Sequence, residues 1–288
     1  MITFDHNESL AQATTRNVRD ALAEDIGCGD WTAQLVPAGH RALAQVVAKE
    51  AAVICGRPWF DACVRALDAA AKVSWLVGEG DAVVAGAVVC RIDGDARALL
   101  SAERPALNFL QMLSAVAGTT RQYVNAIAGV SPNPRGCAIL DTRKTLPGLR
   151  QAQKYAVRVG GGRNQRIALW DGILIKENHI AAARGIAAAL NAARALNAGV
   201  EIQIEVENLD ELEQALVAGA SNVLIDDFSR DDMHRAVAAN AGRALLEVSG
   251  GVDLSSVREI AATGIDRISI GKLTKDVRAV DLSMRIVG

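Results

Sequence analysis

Residues 201–271 read EIQIEVENLDELEQALVAGASNVLIDDFSRDDMHRAVAANAGRALLEVSGGVDLSSVREIAATGIDRISIG, and their rhythm decides the fold. Four short apolar runs, EIQIEV, NVLID, ALLEVS and RISIG, begin at positions 201, 222, 244 and 267, about 22 residues apart. Between them, 209–218, 230–239 and 254–262 carry apolar residues at helical spacing. A strand followed by one helix is the unit that builds parallel sheets. Upstream, CAILD at 137–141 and GILIK at 172–176 extend the series to six strands, with helices predicted over 149–159 and 181–196. Six such strands predict an incomplete parallel α/β barrel.

The C-terminal ends of these strands carry the chemistry. In order they bring Arg143 and Lys144, then Lys176, Glu205, Asp226, the run Ser249-Gly250-Gly251, and Gly271. In a parallel barrel those ends converge on one mouth, where such folds place their active sites. Randomly scattered surface charges would not fall at one end of every strand.

The stretch 141–180 also concentrates charge. It holds eight basic side chains against three acidic ones, in a chain whose formal net charge is −2. Such an island calls for an anionic ligand, since Arg grips carboxylate or phosphate with a fork and Lys acts as a point charge. Arg158 and Arg163, taken singly, read equally well as solvated surface. Arg143, Lys144 and Lys176 do not, because each follows an apolar run that reads as a buried strand. Glu205 and Asp226 end consecutive strands, so neighbouring staves present two oxygen ligands side by side. Two carboxylates beside substrate phosphates are how Mg²⁺ is usually held. The same acids also read as ion-pair partners of Arg143, Lys144 or Lys176, and both readings can hold together. Ser249-Gly250-Gly251 and Gly271 supply backbone N–H groups on the last two strands, where barrels commonly bind phosphate. The set implies a ligand with a sugar phosphate, a pyrophosphate and a further anion.

The first part of the chain has a different texture. Residues 10–23 read as an amphipathic helix, and EDIGCGDWT at 24–32 as a turn-rich link in which Asp30 caps a turn rather than pairing with Asp25 on a metal. Alternating runs at 44–48, 53–55, 73–77, 82–84 and 88–92 predict strands, interrupted by a helix over 58–71. VGEGDAVVAGAVV at 77–89 is similar to hairpins of biotinyl and lipoyl carriers, yet 73–97 contains no Lys to modify, so the fold is expected without the carrier function. A long helix is predicted over 101–128, with Ser101 as N-cap, Pro105 in the first turn, and Leu107, Leu110, Leu113 and Val116 on its apolar face. The expected organisation is an α+β sandwich-like domain over 1–115 and an α/β barrel domain over 116–288, whose C-terminal helix packs on the first domain.

Composition narrows the function classes. Half of the 288 residues are hydrophobic and 22% charged, the profile of a soluble globular protein. An aromatic share of 3% argues against base-stacking platforms, and the net charge against a general DNA binder. Five cysteines without a C-x-x-C pair read as reduced thiols, most of them small core fillers, in a cytoplasmic protein. The start MITFDHNESL lacks the pattern of a signal peptide, and the longest uncharged run, between Arg104 and Arg121, is too short and too polar to span a bilayer.

Three motifs carry a resemblance: D-T-R-K-T-x-P-G-L-R at 141–150, G-G-G-x-N-x-R at 160–166 and L-I-K-E-N-H-I at 174–180. Together they closely resemble the quinolinate phosphoribosyltransferase family, in order and over nearly the whole chain. The family's E-D-x-G-x-G-D-x-T is matched at 24–32 as well. The resemblance implies joining of quinolinate to phosphoribosyl pyrophosphate, with loss of pyrophosphate and CO₂, to give nicotinate mononucleotide in a Mg²⁺-dependent homodimer. By match, Arg143, Arg166 and Lys176 would hold the quinolinate carboxylates, with Gln165 beside them, and Lys144 would reach the phosphoribosyl pyrophosphate. Glu205 and Asp226 would hold Mg²⁺ and ribose, and Ser249, Gly250 and Gly271 the 5′-phosphate. Lys144, Glu205 and Asp226 form the catalytic set, and Arg104 matches the arginine that enters the site from the other subunit. The chain departs from the pattern at Gln165 and Lys275, where the family often has His, and at Pro105, where it often has Thr. His179 is read as supporting the site rather than reacting.

Three other readings compete. A phosphosugar lyase or isomerase would use the phosphate cup but not the acid pair. A paralogous phosphoribosyltransferase would take another aromatic acid. A non-catalytic sensor of anionic metabolites would usually carry an effector domain, for which no segment is left.

Overall fold

The computed structural model describes residues 7–287. The chain forms two compact units, one comprising residues up to 121, 145–161 and from 274, the other 122–144 and 162–273.

The first unit is α+β. Helix α1 (Leu10–Ile26) is closed at its start by a reciprocal pair in which the Ser9 hydroxyl accepts from the Gln12 N–H and the Gln12 side chain accepts from the Ser9 N–H. An antiparallel sheet follows, from β1 (Arg41–Ala48), β3 (Lys72–Trp75) and β5 (Val88–Asp95), while β2 (Ala52–Val53) and β4 (Ala82–Val83) make a short separate ribbon. Strand β1 buries every second residue, Ala42, Ala44, Val46 and Ala48, on one face. Helix α2 (Arg57–Leu67) places Trp59 and Phe60 in the core.

Helix α3 (Ala96–Ile127) corrects the predicted cap. Asp95 Oδ1 accepts from the Ala98 N–H at 3.0 Å and starts the helix ahead of Ser101, whose hydroxyl instead donates to Asp30 at 2.7 Å. Asp30 in turn accepts from the Ala33 N–H, the turn-capping role read for it. Pro105 therefore lies inside the helix rather than in its first turn. An interior proline costs about 3 kcal/mol. Leu99, Leu107, Leu110, Leu113 and Val116 are each at most 1% exposed. At about 2 kcal/mol per buried side chain, their burial outweighs the proline.

The C-terminal segment is also corrected. The expected helix is a strand, β12 (Leu282–Ile286), paired antiparallel with β1 so that the sheet runs β12-β1-β5-β3. Leu282 and Met284 are buried at a spacing of two, which is a strand period. Helix α4 (Arg150–Val159) belongs to this unit as well.

The second unit contains six parallel strands: β6 (Ala138–Leu140), β7 (Gly172–Ile175), β8 (Glu201–Val206), β9 (Asn222–Asp226), β10 (Leu245–Ser249) and β11 (Arg267–Ser269). Their order, β6-β11-β10-β9-β8-β7, is that of a parallel barrel opened between its first two staves. The segment around Arg163 runs beside β6 at this opening, where the Arg163 N–H donates to the Ile139 carbonyl at 2.8 Å. The incomplete barrel is as the sequence predicts. Its helices include α7 (Leu209–Val217), α8 (Arg230–Asn240) and α9 (Val257–Ala262). The single helix expected over 181–196 is two, α5 (Glu177–Ala183) and α6 (Ile186–Ala195), divided where Arg184 and Gly185 take positive φ. A last short helix, α10 (Lys272–Lys275), carries Lys275. No described helix is long and apolar enough to cross a membrane.

Candidate active site

The parallel register brings the strand ends together. A cavity of about 420 Å³ is lined by residues from the ends of all six strands or just beyond them. Arg143, Lys144, Gln165, Arg166, Lys176, Glu205, Asp226, Ser249 and Gly250 all face it. Thr142, Asp227 and Ser269 add polar groups, and Leu174 and Leu224 add apolar wall. Ser249 lies opposite Asp226 across the β9–β10 ladder, and Glu205 opposite Leu224 across β8–β9, so one face of three adjacent strands looks into the cavity.

The glycines there have physical reasons. Gly250 has φ 94°, a conformation that disfavours a side chain, and a Cβ on it would stand 3.2 Å from Asp226 Oδ1 and 3.0 Å from Asp227 Oδ1. A Cβ on Gly271 would approach Lys144 Cδ to 3.1 Å. Gly271 thus lies against the Lys144 side chain although it does not itself line the cavity.

The electrostatics are those of an anion site with an acidic edge. Burial, and then the positive charge of Arg143, push the Arg166 guanidinium below its ordinary pKa. Arg166 is held by a hydrogen bond from its NH1 to the Gly172 carbonyl at 2.9 Å. Lys176 Nζ lies 2.7 Å from Glu205 Oε2, so the ion-pair reading of Glu205 holds in the structure. His179 Nδ1 accepts from the Lys176 N–H at 3.0 Å, fixing the start of α5.

The donor set can be tested against Mg²⁺. No group of three or more His, Cys, Asp and Glu side chains suited to a metal occurs among the described residues. Glu205 and Asp226 do offer hard carboxylate oxygens on adjacent strands of one cavity, the chemistry of a Mg²⁺ that keeps waters and shares its shell with phosphates. The residues fit an ion held with a ligand rather than caged by protein.

Arg104 is placed elsewhere. It lies on α3 in the first unit, is not among the lining residues, and has its side chain 57% exposed, with Glu103 at 3.9 Å. Sequence reasoning missed the polar interior beneath the mouth. Asp141, Gln203, Asn222 and Glu247 are all nearly or fully buried, and Asp141 accepts from the Asn164 side chain and the Gln165 N–H. A second cavity of about 240 Å³ is lined by Gln203, Asn222 and Glu247 together with Glu201, Arg163 and Arg267, and it shares Gln165, Arg166 and Glu247 with the first. A signal was available for two of them: Gln203 and Glu247 are polar side chains that interrupt otherwise apolar runs.

Comparison with known proteins adds a separate line. The sequence profile described as quinolinate phosphoribosyl transferase, C-terminal domain, matches residues 116–285, and that of the N-terminal domain matches 30–114. A probable nicotinate-nucleotide pyrophosphorylase [carboxylating] of Synechocystis is 41% identical over 92% of this chain and 90% of its own length. The nicotinate-nucleotide pyrophosphorylase [carboxylating] of Mycobacterium leprae is 38% identical over 94% of this chain and 96% of its own. The solved nicotinate-nucleotide pyrophosphorylase of Francisella tularensis superposes with a TM-score of 0.92 at 43% identity, covering 99% of this chain and all of that one. With the two profiles matching residues 30–114 and 116–285 and a barrel whose six strand ends share one charged cavity, the chain belongs to the quinolinate phosphoribosyl transferase family.

Proposed function

We propose that this protein transfers a phosphoribosyl group from phosphoribosyl pyrophosphate to quinolinate, with decarboxylation to nicotinate mononucleotide. One observation carries the reading: four cations, Arg143, Lys144, Arg166 and Lys176, share a single cavity with four carboxylates, Glu205, Asp226 and Asp227 at the strand ends and Glu247 deeper in. Cations that already repel one another gain from an anion carrying more than one charge, and the acids provide the edge that a metal-borne pyrophosphate needs. The names of the relatives point to the same chemistry.

In this reading Arg143, Arg166 and Lys176 hold the two ring carboxylates and aim the pyridine nitrogen at the anomeric carbon. Leu174 and Leu224 give the ring apolar surface. Lys144 meets the pyrophosphate, and the backbone at Ser249, Gly250 and Gly271 receives the 5′-phosphate. Glu205 and Asp226, together with the substrate, would hold Mg²⁺, which would supply charge neutralisation for the leaving pyrophosphate. The nitrogen–carbon bond forms as the carbon–oxygen bond to pyrophosphate breaks. The ring, now cationic, draws in the electron pair released when the 2-carboxylate departs as CO₂, and a proton then takes its place at that carbon. No covalent bond to the protein is required, so orientation and electrostatic preorganisation supply the acceleration. The exposed Arg104 guanidinium supports a role in trans, in a homodimer whose sites are shared. Five free cysteines fit a cytoplasmic location.

The test compares kcat/KM for quinolinate and nicotinate at saturating phosphoribosyl pyrophosphate and Mg²⁺. Nicotinate would close over one of these half-buried cations without giving it a partner, a loss of about 3–5 kcal/mol or roughly two to four powers of ten once the bound ring excludes water. It also has no CO₂ to release. Values within tenfold of one another would mean that the cations serve phosphate alone, and the quinolinate assignment would fall. Chelation of Mg²⁺ should abolish turnover, and its return should restore it.

A further inference from the structure

Beneath the candidate site the barrel interior is threaded by side-chain amides. Gln165 Nε2 donates to Gln203 Oε1 at 2.8 Å. Gln203 Nε2 donates to Glu247 Oε2 at 2.9 Å and to Asn222 Oδ1 at 3.1 Å. Asn222 Nδ2 donates to Glu201 Oε1 at 2.6 Å. Gln165, at the top of this chain, and Glu247, at its base, both line the cavity.

An amide is ambiguous by itself, because its oxygen and its NH₂ are alike in size while opposite in hydrogen bonding. Carboxylates remove the ambiguity, since a carboxylate oxygen accepts and the amide end facing it must be NH₂. Glu201 thereby fixes Asn222, and Glu247 fixes Gln203. The Gln203 carbonyl is then turned toward Gln165, which must meet it with its NH₂. The polarity at the cavity wall is thus decided two residues deeper.

Glu247 is an expensive way to fill its place. It is 0% exposed, its Oε1 makes no hydrogen bond of ordinary length, and burial pushes its carboxyl pKa up. An aliphatic side chain there would avoid the cost of burying a carboxylate.

We propose that Glu247 is a positioning residue for recognition of the aromatic acid: through Gln203 it sets which end of the Gln165 amide faces the site. The proposal rests on the phosphoribosyl transfer reading, which the wild-type protein tests first by turning over quinolinate or failing to. Against that turnover, Glu247→Gln removes the obligate acceptor and lets the amides above it turn. The KM for quinolinate should rise about tenfold, while the KM for phosphoribosyl pyrophosphate stays within about twofold. In a Gln165→Ala background, which has no amide left to orient, Glu247→Gln should change the quinolinate KM by less than about twofold. The same rise in both backgrounds, or no rise in either, overturns the proposal. Gln203→Met cuts the chain in its middle and must show the same dependence on Gln165. Loss of the fold in both Glu247→Gln and Gln203→Met, seen by circular dichroism and thermal melting, would make the chain a structural core and overturn the proposal as well.

Discussion

Arg143 and Arg166 line the same cavity, and burial first, then the positive charge of Arg143, lowers the pKa of Arg166. An anion between them relieves that repulsion, so a guanidinium lost from the pair should weaken substrate binding more than it weakens the fold. Gln165 stands beside them and cannot titrate. Gln165→His should stay active, since imidazole can donate to Gln203 from a similar place. The new imidazole gains charge as pH falls through about 6.5, and the cationic form attracts carboxylate, so its quinolinate KM should fall on the acid side. The wild type should lack that feature in a KM profile between pH 5.5 and 8. Complete loss of activity with the fold intact would show that the site is built around the amide. Residue identity made most of this legible in the sequence, because a charge at the end of an apolar strand announces itself. Gln203 and Glu247 showed only as polar breaks in apolar runs, and their pairing was hidden because the partners come from strands far apart in the chain.

Helices and strands were legible where the apolar period was strong and their ends were not. Asp95 and Ser101 are both good caps, and the sequence offers no means to choose between them. The choice followed from Asp30, which claims the Ser101 hydroxyl from a distant loop. Helix α4 shows the same dependence on a neighbour. Its last residue is followed by Gly160 at φ −67°, an ordinary helical value, so conformation does not demand glycine there. Space does: a Cβ would lie 2.5 Å from the Ala117 carbonyl and 2.6 Å from Thr120 Cβ, both on α3. Arg121 Nε also donates to the Gly160 carbonyl at 2.9 Å across this crossing. Gly160→Ala should therefore destabilise by about 2–3 kcal/mol, the cost of overpacking against backbone, read as a lowered urea midpoint with unchanged slope. A shift below about 0.5 kcal/mol would mean that the two helices part without strain.

At the scale of the whole molecule, the shared-site homodimer is open to a complementation test. Arg104→Ala and Lys144→Ala should each be nearly inactive alone. Mixed under subunit exchange, half of the dimers are heterodimers with one intact site, so activity should recover to about a quarter of wild type. No recovery despite verified heterodimers would place both residues in one subunit's site. What the sequence determined by itself was the periodic part. A strand–helix repeat of about 22 residues can bury its apolar faces as a parallel sheet, and chemistry written at each strand end must then share one mouth. What only the tertiary structure decided was contact between distant segments. β12 became a strand because β1 offered an unpaired edge in the matching register, and no local propensity in so short a segment outweighs a row of backbone hydrogen bonds. The amide chain from Gln165 to Glu247 likewise exists only once the strands close around it, because hydrogen-bond polarity is a property of the pairing and not of either residue.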